Sequence, residues 1–291
     1  MMDQVKIDVS VITPFYRGNS FLENLFRCIR ANAQAAAPLH VELVLVNDSP
    51  DCPVSYREDW VEGFSLQILT NSENVGIHQS RINGLKAAKG EFVLFLDQDD
   101  LLADDAIISQ WRAIQDADLV VANGIDESRD ARVPIYQSAA HQRQVAIPRF
   151  YFSIGCQIVS PGQCLIRRDC IPDLWQKCSI SQNGADDYFL WLLLLKEKIR
   201  WEINSHVLYT HVNTGSNVSI DLDRMIRSSV EVLELLKEHG LLTAHQERTA
   251  KRRYQMRRMY EGREKWRKIL ACLCYPDLFW ELCMYTLVKK F

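Results

Sequence analysis

The sequence predicts an α/β fold, a mostly parallel sheet flanked by helices with a helical appendage towards the C-terminus. Three observations predict it. Short β-branched runs alternate with helical stretches through the first hundred residues, as βαβ units do. Residues 91–96 (EFVLFL) form a continuous apolar run, expected of a strand covered on both faces. Beyond Gln246 the chain turns basic and then aromatic, which sets its last part off from the rest.

Taken in order, residues 8–13 (DVSVIT) read as the first strand, followed by a helix over about 20–37. Residues 41–47 (VELVLVN) are a second strand and 66–69 a third. Over 76–89, Ile82, Leu85 and Ala88 recur at helical spacing, and Gly90 is the expected stop. A strand is expected at 119–122, whereas 126–149 mixes charge, Gln and Pro and reads as a long loop. Residues 186–195 (DDYFLWLLLL) make an apolar helix opened by two acids, and 223–242 an amphipathic helix ended by Gly240.

Composition narrows the classes. With 47% hydrophobic and 24% charged residues over 291 positions, the chain is globular rather than disordered. A net charge of −3 supplies no chain-wide positive field, which argues against a nucleic-acid partner. That average hides a split: between Gln246 and Lys268 ten Lys or Arg face three Glu, a local +7 that leaves −10 for the remainder. The nine cysteines contain no CxxC pair, which disfavours a zinc ribbon. These unpaired thiols, and a start lacking a basic and then apolar leader, point to the cytoplasm.

The tail allows two readings. Residues 269–288 approach the length of a membrane span, but Pro276, Asp277 and Glu281 make spanning costly. A basic stretch beside an aromatic one fits peripheral association with an anionic membrane. The other reading is a helical hairpin that packs its apolar face on the preceding domain.

The acids carry the chemistry. Asp97-Gln98-Asp99-Asp100 follows the buried run, and in open α/β sheets ligands bind outside the carboxyl ends of strands. In extended chain Asp97 and Asp99 point the same way, and two hard oxygen donors suit Mn²⁺ or Mg²⁺ bridging to a diphosphate. Otherwise these acids cap the following helix, Asp100 most simply. An aspartyl phosphotransferase or phosphatase would want DxDx(T/V) on the first strand, but Leu101 stands at the fifth position and the motif comes late. A catalytically silent carbohydrate-binding protein is the other alternative. The first turn, TPFYRGNS, carries no GxGxxG, so dinucleotide-dependent oxidoreductases fall away.

Five motifs occur in order: Val11-Ile12-Thr13-Pro14-Phe15-Tyr16; Val46-Asn47-Asp48-Ser49; Asn74-Val75-Gly76 with Ser80-Arg81 and Gly84; Lys89-Gly90-Glu91-Phe92 leading into Asp97-Gln98-Asp99-Asp100; and Asp186-Asp187 leading into Leu190-Trp191-Leu192. Over residues 8 to about 219 the chain thereby resembles family 2 glycosyltransferases of the GT-A fold. It departs from their pattern at Arg17 and Ile82, where Asn is common, and at Asp186-Asp187, where Glu-Asp is more usual.

The resemblance implies an inverting, metal-dependent transfer from a nucleotide-sugar, a UDP-sugar first of all, to a saccharide or lipid-linked saccharide acceptor in surface polysaccharide synthesis. Residues 1–220 would form the catalytic domain, 1–100 the nucleotide half and 101–220 the acceptor half, with 221–291 the appendage. Thr13, Pro14 and Tyr16 would border the base, with Tyr16 stacking. Asp48 would accept from a uracil-like edge, and Asn74, Gly76 and Gln98 would complete the donor pocket. Arg81 would face base or phosphates. Asp97 and Asp99 would hold the metal, with His211 a further ligand or phosphate contact. Asp187, with Asp186 beside it, would be the general base. Ser160–Gln163 looks like a turn under the acceptor, which Gln163 and Trp191 would touch. The polar run Asn213, Thr214, Ser216, Asn217 suits a lid.

Overall fold

The computed structural model describes residues 6–215, 221–261 and 264–289. The expected lid residues Ser216 and Asn217 lie outside them. Among the described residues nine strands form one sheet. They are β1 (Val9–Phe15), β2 (Val41–Asn47), β3 (Ser65–Thr70), β4 (Phe92–Phe95), β5 (Leu101–Leu102), β6 (Leu119–Glu127), β7 (Arg132–Pro134), β8 (Cys164–Arg167) and β9 (Trp201–Val212). The order is β3-β2-β1-β4-β8-β6-β9-β5, with β7 on β6. The first four strands are parallel. β8 then runs antiparallel between β4 and β6, and β9 parallel to β6. Because the strand order reverses between β1 and β4, a crevice opens beyond their carboxyl ends, where ligands settle in such sheets.

The strands bury both faces, and period-2 alternation divides their side chains between two cores. Val9, Val11 and Phe15 of β1, with Leu43, Leu45 and Leu94, pack under α1 (Leu22–Ala36) and α3 (Ala106–Ile114). Ile12, Val44, Val46, Val93 and Phe95 pack on the other face under α2 (Ile77–Ala87) and α7 (Asp186–Leu194).

Two expectations are corrected here. The supposed loop over 126–149 is largely ordered: it carries the end of β6, β7, α4 (Ala139–Gln142) and the start of α5 (Pro148–Ser153). Its helices bury His141, Gln142, Tyr151 and Phe152, so tertiary packing outweighs the polar local composition. Gly90 is not the stop of α2, which ends at Ala87. A Cβ at Gly90 would stand 2.6 Å from the Ser10 nitrogen, and its N–H donates to Ser10 Oγ at 2.8 Å. Close approach to β1 is therefore what this glycine serves.

After α6 (Asp173–Lys177) and α7, the chain ends in α8 (Leu222–Glu238), α9 (Ala244–Tyr260), α10 (Lys265–Cys274) and α11 (Pro276–Val288). Ile226, Val232, Leu233 and Leu236 of α8, with Ala250 and Tyr254 of α9, join the same core as α7. The break between α10 and α11 falls at Tyr275-Pro276, as Pro at a first helical position requires. One face of α11 is tied to the body, where Tyr285 Oη lies 3.0 Å from His141 Nε2 and Ser138 Oγ donates to the Val288 carbonyl at 3.1 Å. Among the described residues no helix is long and apolar enough to cross a membrane.

Candidate active site

The crevice is walled by the loop after β1. Arg17 adopts φ 49°, the left-handed region that Asn, its usual counterpart in the resemblance, tolerates better. Its backbone N–H donates to Ser49 Oγ at 3.0 Å, and its guanidinium pairs with Asp51. Tyr16 is exposed beside it, the Arg17 guanidinium 5.8 Å from its ring centroid. Gln98 does not reach outward: its Oε1 accepts from the Tyr16 N–H at 2.9 Å and its Nε2 donates to the Tyr16 carbonyl at 3.3 Å. It thereby clasps the first loop to the acidic loop after β4. Thr13 is buried near the end of β1, its hydroxyl without a hydrogen-bond partner among the described residues, next to partly buried Pro14.

Asp48, buried after β2, shapes a second wall. Its Oδ1 accepts from Asn71 Nδ2 at 2.8 Å and the Val75 N–H at 2.9 Å, and its Oδ2 from the Gly76 N–H at 2.9 Å. Gly76 has φ 87°, and a Cβ there would meet Asn183 Oδ1 at 2.7 Å, so glycine is needed twice over. Asn183 Oδ1 accepts the Ile77 N–H at 3.1 Å, closing the start of α2. Asn74 itself is exposed.

Arg81 is the centre of the site. On α2 it is almost fully buried, and it spans two acids from distant segments. Nη1 meets Asp186 Oδ2 at 2.5 Å and Nη2 meets Asp97 Oδ1 at 2.5 Å. It therefore ties the β4 loop to the start of α7. Burial works against ionisation of Asp186, but Arg81 beside it holds that carboxyl below its usual range. Asp187 is in a different state. Its Oδ1 accepts its neighbour's N–H, from Tyr188 at 2.6 Å, and the half-buried side chain lines a cavity. Burial, with Asp186 alongside, pushes it up to about 7.

Asp97 keeps 34% of its side chain exposed, and Asp99 is half-buried beside it. Burial, then Asp100 and Asp97, raise Asp99 to about 6. Two crowded carboxylates with free oxygens are a donor set suited to a hard divalent cation that takes its remaining oxygens from substrate and water. Among the described residues no three His, Cys, Asp or Glu side chains converge to hold an ion by themselves.

Several expectations are corrected. Asp100 caps no helix: fully buried, it accepts from Tyr209 Oη and from the Val212 N–H at 3.0 Å, and lies 3.2 Å from His211 Nδ1. His211 turns its Nδ1 to Asp100, which anchors β9 and fixes the orientation of the ring. Tyr209 and His211, two apart on one strand, share a face, a regularity that makes this anchor legible in principle. Gln163 is fully buried, accepting from the Val159 N–H at 2.9 Å and donating to the Ala122 carbonyl at 3.1 Å, so it cannot touch an acceptor. Trp191 is likewise fully buried in the α7 core. Three residues escaped the sequence reading. Asn71 and Asn183 brace the Asn74–Gly76 loop, and Trp175 donates Nε1 to the Asp186 carbonyl at 2.9 Å.

Known proteins resemble this chain in sequence and in fold. The chain is 27% identical over 124 residues to the putative glycosyltransferase EpsH of Bacillus subtilis (strain 168), covering 42% of this chain and 35% of that protein. It is 32% identical over 99 residues to the minor teichoic acid biosynthesis protein GgaB of the same organism, covering 33% of this chain and 11% of that one. It thus spans less than half the length of these relatives. In fold it is similar to residues 1–349 of TarS from S. aureus in complex with UDP-GlcNAc, with a TM-score of 0.60 and 17% identity, covering 88% of this chain and 74% of that one. The glycosyl transferase family 2 model matches residues 10–175, more than half of the chain, and the chain therefore belongs to glycosyl transferase family 2.

Proposed function

We propose that the protein transfers a sugar from a UDP-sugar to a hydroxyl of a saccharide acceptor, with inversion at the anomeric carbon. The observation that carries this reading is the Arg81 bridge. It gathers the β4 acids and the α7 acids at one crevice while leaving Asp187 outside the ion pair. The similarity in fold to a protein crystallised with UDP-GlcNAc supports the choice of donor.

Each acid then has its own work. Tyr16 and the Asp48 wall border the base. Asp97 and Asp99 would hold a divalent cation, which would supply charge neutralisation on the departing diphosphate. Asp187 takes the acceptor proton as the hydroxyl oxygen bonds to the anomeric carbon and the bond from that carbon to the diphosphate oxygen breaks. A base poised near neutrality suits this step. Asp186, held ionised by Arg81, positions Asp187 and strengthens its affinity for the acceptor proton.

The tail supports a lipid-linked acceptor at an anionic membrane surface. On α10, Trp266, Ile269, Leu270 and Leu273 recur at helical spacing and all are exposed, Leu273 at 71%. On α11, Trp280 at 69%, Met284 and Leu287 continue an apolar face. Lys265, Arg267 and Lys268 flank it, a pairing of apolar and basic groups that suits the headgroup region.

The donor reading is tested by thermal shift with UDP and UDP-sugars, with and without Mn²⁺, because a ligand bound only to the native state raises its stability. Mn²⁺-dependent stabilisation that Asp99→Asn abolishes is expected. Equal stabilisation of Asp99→Asn and wild type would overturn the metal assignment.

A further inference from the structure

A cavity of about 150 Å³ opens beside Asp187, and none of the β4 acids lines it. Its wall comes from the loop after α5, the start of α7, and helices α8 and α9. Arg253 of α9 is 9% exposed there, yet it forms no ion pair with a carboxylate among the described residues. Its Nη1 donates to the Tyr151 carbonyl at 2.5 Å, and the guanidinium lies 4.4 Å from the Tyr254 ring centroid and 5.8 Å from that of Tyr188. Tyr254, on the same wall, is buried, and among the described residues its hydroxyl has no hydrogen-bond partner. Towards solvent, Arg257 also lines the cavity, paired with Glu261 of its own helix turn at 2.7 Å.

A guanidinium removed from water is costly unless an anion or hydrogen bonds replace the lost solvation, and aromatic faces replace only part of it. Its planar fork matches carboxylate and phosphate oxygens two at a time. We propose that this cavity receives an anionic group of the acceptor, a phosphate or carboxylate borne by the saccharide, with Arg253 as its buried anchor. Tyr254 donates its hydroxyl to the same group, and Arg257 draws it in at the mouth. A neutral saccharide would leave Arg253 with the Tyr151 carbonyl and aromatic faces but no counter-charge, so the cavity favours an anionic one. The proposal rests on the assignment of Asp187 as the base, which makes this cavity the acceptor's place.

The test measures thermal shifts of the full chain saturated with UDP and Mn²⁺, titrated with inorganic phosphate, glucuronate or glucose. Saturable stabilisation by phosphate or glucuronate, and none by glucose, is expected, and whichever anion acts identifies its source. Arg253→Gln should weaken that anion at least tenfold and Arg257→Gln severalfold. Both variants should keep the shift caused by UDP and Mn²⁺, which reports folding and the donor site separately. Should Arg253→Gln not fold, Arg257→Gln on its exposed pair decides. An anion response unchanged in the folded variants, or no anion exceeding glucose, would overturn the proposal. Loss of the UDP response in the wild type would count against the donor reading alone.

Discussion

Replacing Asp187 by Asn removes the proposed base and a buried charge together, and the two effects have opposite signs. Burial, with Asp186 alongside, raises this carboxyl from 3.8 to about 7 in the folded chain. A difference of that size penalises the ionised form by roughly 4 kcal/mol, and by about half of that once solvent reaching a half-buried group is allowed for. Below the unfolded value both states hold the proton. Between that value and about 7 the folded state still holds a proton that the unfolded chain has released, so stability falls as pH rises and levels off above the folded value. Asn escapes the penalty. In urea titrations Asp187→Asn should therefore gain on the wild type by about 1–2 kcal/mol between pH 5 and 8.5. Activity moves the other way. UDP release from the cognate UDP-sugar should rise with pH towards about 7 in the wild type, and fall by about 10²–10⁴-fold in the variant. A stability gap that stays constant with pH, or a variant within tenfold of wild-type turnover, would refute the reasoning.

Other perturbations probe the scaffold. Arg81→Met leaves buried Asp186 and part-exposed Asp97 without their shared cation, and should lower unfolding stability by about 2–4 kcal/mol in chemical denaturation. Gly76→Ala, forced to φ 87° against Asn183, should cost about 1–3 kcal/mol and weaken UDP binding measured by calorimetry, since the Asp48 loop shifts. The paired change Leu273→Glu and Trp280→Glu on the exposed tail should leave the melting temperature unchanged but abolish co-sedimentation with vesicles containing anionic lipid. Retained sedimentation would remove the membrane reading.

The β strands of the parallel half were legible because each is a local apolar run whose alternate residues serve two cores, as Val9, Val11 and Ile12 do. The acids were legible for a related reason: Asp97 follows a buried strand and Asp186 opens a helix, so their placement depends only on neighbouring residues. Membership in glycosyl transferase family 2 followed from the same ordered motifs. Helix ends were less legible, because α2 stops before Gly90, whose reason lies across the sheet at Ser10.

What the sequence by itself determined was therefore the family, the half-sheet and the acidic segments at its edge. Tertiary structure alone decided which partners those acids take. Arg81 claims Asp97 and Asp186 and leaves Asp187 facing the cavity, Asp100 turns inward to Tyr209 and His211, and Gln163 and Trp191 disappear into the core. The physical reason is that hydrogen bonds and burial are made between segments far apart in the chain. Local pattern says which face a residue occupies, but a partner that neutralises or desolvates it appears only once the layers have packed.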